Sequence, residues 1–82
     1  MIRIIYSDKE IEIEWREGIT VADAVLRLCE LHGCDAIRIM GRIMGAGVGQ
    51  EENCRYVCKM DFEKTLVSDG EEIYILPLIV GG

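Results

Sequence analysis

The chain closes on two glycines, Gly81 and Gly82, directly after the apolar run Pro-Leu-Ile-Val at 77–80. Because glycine has no side chain, such an end takes up little volume and has wide backbone freedom. We therefore expect it to enter a narrow channel and to present the Gly82 carboxylate to a reacting group. A carboxylate is a poor acyl donor until it is activated, for example as an acyl-adenylate, so the pattern predicts a terminus that another enzyme modifies. The alternative is an ordinary frayed tail.

Four cysteines form the second group of reactive side chains, and His32 lies near one of their pairs. They form one C-x4-C pair and one C-x3-C pair: Cys29, Cys34, Cys54 and Cys58. Structural zinc sites usually carry closer pairs, often C-x2-C. Three hypotheses stay open, namely reduced cysteines that pack as small hydrophobes, a structural zinc site, and a redox pair or sulfur relay. Static disulfides are disfavoured in a reducing cytosol.

The remaining motifs do not predict an active site within this chain. The glycine-rich stretch 45–49 superficially resembles a nucleotide-binding loop, but it lacks the capped helix that follows such loops. His32 has no nearby serine or paired carboxylate that would favour nucleophilic catalysis. We therefore expect a protein that is acted upon rather than an enzyme.

Alternating apolar and polar residues predict a hairpin at the start of the chain. Strands are predicted at 1–7 and 10–15, with a turn at Asp8-Lys9, and the second strand has its glutamates on the outer side. A helix is predicted over 21–32, with Thr20 as N-cap, Asp23 completing a capping box, and Gly33 as the C-terminal stop. Leu31 is expected on the buried stripe of that helix.

The second half of the chain has weaker signals. The pattern predicts a third strand over 36–40, a mobile loop over 45–53, a short edge strand over 55–60, and a turn of helix within 61–67. Asp69-Gly70 predicts a turn, and residues 72–76 predict the last strand, whose regular pairing Pro77 ends. The whole chain is then a single two-layer α+β domain over 1–82, with a mixed four- to five-stranded sheet packed on one main helix and a flexible tail over 78–82.

Composition and charge exclude several classes of protein. The 82 residues are half hydrophobic, which suits a folded domain, and no apolar run approaches the length of a membrane span. A net charge of −6 argues against binding to nucleic acid, and favours either a basic protein partner or a solvated acidic surface. The first residues lack a signal-peptide layout, so a cytosolic location is expected.

These features together resemble the ubiquitin-like sulfur carriers, a family that includes the small subunit of molybdopterin synthase and the sulfur carrier of thiamine biosynthesis. The resemblance lies in the opening hairpin, the capped helix after Gly18-Ile19-Thr20, and the closing segment 69–82 with its Asp-Gly turn, apolar strand and Gly-Gly. The Leu-Pro-Leu step at 76–78 is more similar to the molybdopterin-synthase type. Residues 45–64 depart from the family pattern, because this connection is longer and carries two cysteines.

The resemblance implies a β-grasp fold and a defined chemistry. An ATP-dependent activating enzyme would adenylate Gly82, and sulfur from a sulfur donor protein would displace AMP to leave a thiocarboxylate. The carrier would deliver that sulfur to an acceptor synthase subunit in molybdopterin-type or thiamine biosynthesis. ATP and magnesium would belong to the activating enzyme, and this chain would bind no cofactor tightly. The partner-binding residues would be Leu76, Leu78, Ile79 and Val80, together with the exposed face of the sheet, while Gly81 would reach into the partner's site beside Gly82.

Two other hypotheses would explain some of the same residues. A ubiquitin-like modifier would use the same terminus but would join Gly82 to lysines of target proteins. A small metal-binding or redox module would instead depend on the four cysteines, and its terminal glycines would be incidental.

Overall fold

The computed structural model describes residues 1–7, 9–33, 36–50 and 52–78. Two strands, β1 (Ile2–Tyr6) and β2 (Lys9–Ile13), precede two helices, α1 (Val21–His32) and α2 (Ala36–Met40). Three further strands follow, β3 (Ile43–Gly49), β4 (Arg55–Cys58) and β5 (Glu72–Pro77), with the 3-10 helix Lys59–Lys64 between the last two. The predicted α+β class is confirmed.

The five strands form one mixed sheet in the order β2-β1-β5-β3-β4. β5 lies at its centre, parallel to β1 and antiparallel to β3, whereas the β1–β2 and β3–β4 pairs are antiparallel. The predicted turn at Asp8-Lys9 is shifted by one residue, because Lys9 already pairs with Tyr6 as part of β2. Ser7 takes a positive φ of 57° there, and Asp8 lies outside the described residues.

The main helix has the boundaries that its capping residues predict. The Thr20 hydroxyl accepts a hydrogen bond from the Asp23 amide at 3.2 Å, and the Asp23 carboxylate accepts one from the Thr20 amide at 3.0 Å. Gly33 closes the helix in the left-handed conformation, with φ 65°. One face of α1 packs on the sheet, with Cys29 buried, whereas Leu31 is half exposed, contrary to its predicted position on the buried stripe.

Two predictions for the middle of the chain are wrong. Residues 36–40 form the short helix α2 rather than a strand, because five residues are too few for periodicity to distinguish a helix from a strand. Residues 45–49 belong to β3 rather than to a loop over 45–53. β3 pairs with β5 on one side and β4 on the other, and this satisfies its backbone in spite of the low strand propensity of glycine.

A single core lies between α1 and the inner face of the sheet. The 3-10 helix closes one end of it with Phe62, which is 1% exposed and is the largest fully buried side chain. None of the helices in the described ranges has the length and apolarity that a membrane crossing requires.

Candidate functional site

The candidate site is the end of β5 together with the face of the sheet that points away from α1, hereafter the open face. Along β5, Ile73 and Ile75 are buried in the core, so alternation places Glu72, Tyr74 and Leu76 on the opposite side. The open face consists of residues from all five strands: Arg3, Ile5, Glu10, Glu12, Gly45, Gly47, Gly49, Tyr56, Cys58, Glu72, Tyr74 and Leu76. The helices of the described ranges pack on the other side of the sheet.

β5 carries the chain out of the sheet at a fixed position, because it is paired on both sides. Pro77 is the last residue of β5 and lies opposite Ile43, one residue beyond the predicted strand end. A register irregularity between Ile43 and Gly45 accompanies this end of the β3–β5 pair. Beyond it, the Leu78 amide donates a hydrogen bond to the Arg42 carbonyl at 2.7 Å. The chain is therefore held by backbone contacts up to Leu78.

Alternate glycines of β3 form a shallow trough across the open face. Gly45, Gly47 and Gly49 lie opposite Leu76, Tyr74 and Glu72 in register, so residues 45–49 of β3 have no side chains on this side. The trough separates the side chains of β5 from those of β4. Both ends of the trough are covered, by the Tyr56 ring over Gly45 and by the backbone of Asn53 and Cys54 beside Gly49.

Tyr56 forms one wall of the trough and folds partly over it. Its ring lies against Gly45, where an added Cβ would come within 2.7 Å of the ring and 2.6 Å of the Val57 carbonyl oxygen. The Tyr56 hydroxyl donates a hydrogen bond to the Met44 carbonyl at 3.3 Å. More than half of the Tyr56 side chain is nevertheless exposed. An aromatic side chain held in this way offers apolar area at low entropic cost to a partner.

The other end of the open face is charged. Arg3 lies 2.8 Å from Glu10, 3.6 Å from Glu72 and 3.9 Å from Glu12, so one guanidinium is shared among three carboxylates. Pairs this exposed add little stability, but they leave a net negative charge at this end. The Tyr74 hydroxyl donates to Glu72 at 3.2 Å, and the pKa of Tyr74 is raised above its usual value, first by burial and then by the Glu72 charge. The open face is thus acidic beside β2 and mainly apolar beyond β5.

The predicted partner-binding residues are placed unequally by the structure. Leu76 is half-buried on the open face beside Tyr74, and Leu78 is half exposed just past the strand end. The other predicted residues, Ile79, Val80, Gly81 and Gly82, lie outside the described residues.

The sheet separates the predicted cysteine ligands from one another. Cys29 is buried in the core on the α1 side, whereas Cys58, which pairs with Gly45, lies on the open face. Cys54 is exposed and lies near Gly47 on that same face. One zinc ion therefore cannot bind Cys29 together with the other two.

Three or more metal-binding side chains do not come together anywhere in the described ranges. Cys34 lies outside those ranges, so the pairing of Cys29 with Cys34 stays a prediction.

Comparison with protein-family models, with curated proteins and with solved structures gave no match.

Sequence reasoning missed the trough and the two tyrosines beside it. The available signal was the alternation of glycine with Ala46 and Val48, which has the period of a strand with a bare outer face. Glycine is depleted in strands, so the same letters predicted a loop.

Proposed function

We propose that this domain has a β-grasp fold and carries sulfur as a thiocarboxylate on Gly82. The observation that carries the proposal is the exit of the central strand β5, which leads from a partly apolar open face directly into the segment Ile-Val-Gly-Gly at 79–82. The sheet order, with parallel central strands and one main helix across it, is compatible with the β-grasp arrangement. The proposal takes Gly82 to carry the free α-carboxylate of the mature protein.

The chemistry requires activation of a carboxylate by a partner enzyme. The Gly82 carboxylate attacks the α-phosphate of ATP, which releases pyrophosphate and forms an acyl-adenylate. Sulfide then attacks the acyl carbon and releases AMP, leaving the thiocarboxylate. If the donor is a persulfide, an acyl disulfide forms first, and a thiol reduces it to the thiocarboxylate. Magnesium and ATP are bound by the partner in this scheme.

This chain would contribute the position of its C-terminal end and a surface to which partners dock. Backbone bonds hold the chain as far as Leu78, and the two glycines beyond it add almost no bulk in a partner's channel. Leu76, Leu78 and Tyr56 supply exposed or half-exposed apolar area near the strand end, which suits docking of the activating enzyme and the acceptor subunit. The location that fits this proposal is the cytosol.

A labelling experiment tests the proposal. The untagged chain is incubated in an extract of its source cells with ATP, magnesium and cysteine, and is then treated with a fluorescent sulfonyl azide, which reacts selectively with thiocarboxylates to form an N-acyl sulfonamide. We expect ATP-dependent labelling of the natural chain and none after deletion of Gly82. The Gly47→Ala variant, altered in the sheet but not at the terminus, serves as the matched control and should be labelled.

Labelling that persists after deletion of Gly82 would contradict the proposal. So would the absence of labelling in the natural chain when the extract labels an added sulfur carrier of known activity. A ladder of higher-mass conjugates in place of labelling would favour the modifier.

A further inference from the structure

A groove lies between β2 and α1, at the edge of the sheet. Its volume is about 600 Å³. β2 is an edge strand of the sheet, so one side of its backbone is not paired by another described strand. Such an edge is a template for one more strand. The proposed sulfur chemistry makes no use of this groove.

The hairpin geometry determines which backbone groups point outward at this edge. A two-residue loop joins Tyr6 to Lys9, and the pair that closes such a loop exchanges hydrogen bonds. Alternation then directs the backbone groups of Ile11 and Ile13 toward β1. The N–H and C=O groups of Glu10 and Glu12 are therefore directed toward the groove side of the edge.

Partly exposed apolar side chains line the groove among charged ones, including Trp15, Leu26 and Leu31. Trp15 is 38% exposed, and its indole nitrogen donates to the Val67 carbonyl at 2.7 Å, which fixes the ring. Across the groove, Leu26 and Leu31 of α1 are each about half exposed. These side chains would contact aliphatic residues of an added strand.

The charged residues near the groove determine which side chains would be favourable at the remaining positions of an added strand. Arg27 pairs with Glu30 at 2.9 Å and Arg16 with Asp23 at 3.9 Å, so these groups offset one another. Glu14 forms no ion pair with a described residue.

Glutamates also disfavour a second copy of this chain as the occupant. They recur at every second position: Glu10, Glu12 and Glu14. Antiparallel pairing of β2 with its own copy, with the apolar residues kept on one face, sets glutamate opposite glutamate, and like charges directly opposite are destabilising. Lysine or arginine at those positions of a partner would instead pair favourably.

We propose that the groove between β2 and α1 binds an extended peptide segment in which lysine or arginine alternates with aliphatic residues, and that the segment adds to the sheet as a strand beside β2. Its aliphatic side chains contact Trp15, Leu26 and Leu31, and its cations face the glutamates of β2. A segment of five to six residues matches the five residues of β2, of which Glu12 and Ile13 line the groove.

The test uses the full 82-residue chain, labelled with ¹⁵N, and a capped six-residue peptide of alternating lysine and valine. A peptide of the same composition, with three lysines followed by three valines, is the matched control. We expect saturable shifts at the amides of Glu10, Glu12 and Glu14 and at the Trp15 indole. Binding should be about tenfold tighter than for the block peptide, because only the alternating peptide can place all its lysines beside the glutamates and all its valines toward the apolar side chains of the groove.

Two further comparisons separate strand addition from simple charge attraction. Methylation of alternate backbone nitrogens in the peptide, in the phase that faces β2, should weaken binding by about tenfold with no change in charge. The double variant Glu12→Lys with Glu14→Lys should weaken it by a similar factor. The double variant Glu52→Lys with Glu63→Lys, which has the same net charge but alters exposed residues elsewhere, should change it less than about twofold.

Equal affinity for the alternating, block and methylated peptides would overturn the proposal. Shifts confined to Tyr56, Tyr74 and Leu76 on the open face would also overturn it. Circular dichroism of each charge variant checks that the sheet is intact. Because none of these measurements involves Gly82, their outcome is independent of the sulfur chemistry.

Discussion

At the residue scale, the glycines of β3 differ in what they allow. Gly45 lies directly beneath Tyr56 and close to the backbone of β4, whereas Gly47 has only ordinary contacts around it. The two residues have the same type, the same strand and the same face. They therefore form a matched pair for testing whether the close approach of Tyr56 is required.

The Gly45→Ala variant should lose about 1–3 kcal/mol of unfolding free energy, because its Cβ overlaps backbone as well as the tyrosine ring. The nearest atoms to a Cβ at Gly47 are 3.8 Å away, so Gly47→Ala should be neutral or gain up to about 1 kcal/mol from a less flexible unfolded chain. Urea denaturation of both variants measures the difference. Equal stability of the two would show that Tyr56 does not pack as described.

The sequence indicated the leucines of the candidate site but not the relative positions of its cysteines. Leu76 and Leu78 were expected near a partner surface, and the structure leaves both at least partly exposed beside the strand end. The cysteines were expected as one possible cluster, but Cys29 and Cys58 lie on opposite sides of the sheet. Spacing along a sequence cannot reveal this, because the face on which a residue lies depends on strand register.

At the element scale, the sequence predicted best where local chemistry determines an element's ends. Thr20 and Asp23 fix the start of α1 through capping hydrogen bonds, and Gly33 ends it in the left-handed conformation. These three residue types are helix-end signals that can be recognised from the sequence alone. α2 and β3 depend instead on tertiary contacts. The five residues of α2 are too few for periodicity, and the glycines of β3 form a strand only because β4 and β5 flank them.

The 3-10 helix has a packing role that a single substitution can measure. Phe62→Ala should cost about 3–5 kcal/mol, because it removes the largest buried side chain and leaves a cavity. Met60→Ala in the same helix should cost less than about 0.5 kcal/mol, since Met60 is 83% exposed. Denaturant midpoints compare the two, and a similar loss in both would contradict the role of this helix as the end of the core.

At the scale of the whole molecule, charge and apolar area are unevenly distributed. Acidic side chains border β2, and apolar side chains border the end of β5. The described residues thus present the open face and, at its β2 edge, the groove between β2 and α1. Net charge alone predicted a basic partner but not its location, because location requires the sheet order.

Removal of Gly82 should separate folding from function. Among the described residues the core cluster has no member beyond Ile75, so deletion should leave the melting temperature essentially unchanged while abolishing activation. Thermal denaturation and the labelling assay are measured on the same sample. A large loss of thermal stability would contradict the view that Gly82 serves chemistry alone.

The most direct test of the central claim is the intact mass of the untagged protein purified from its own source. We expect a sulfur-for-oxygen mass increase that fragmentation localises to Gly82. An unmodified Gly82, found together with conjugates that leave a Gly-Gly remnant on lysines of other proteins, would contradict the carrier and identify a modifier. A Gly82 that is followed by further residues in the mature protein would contradict both.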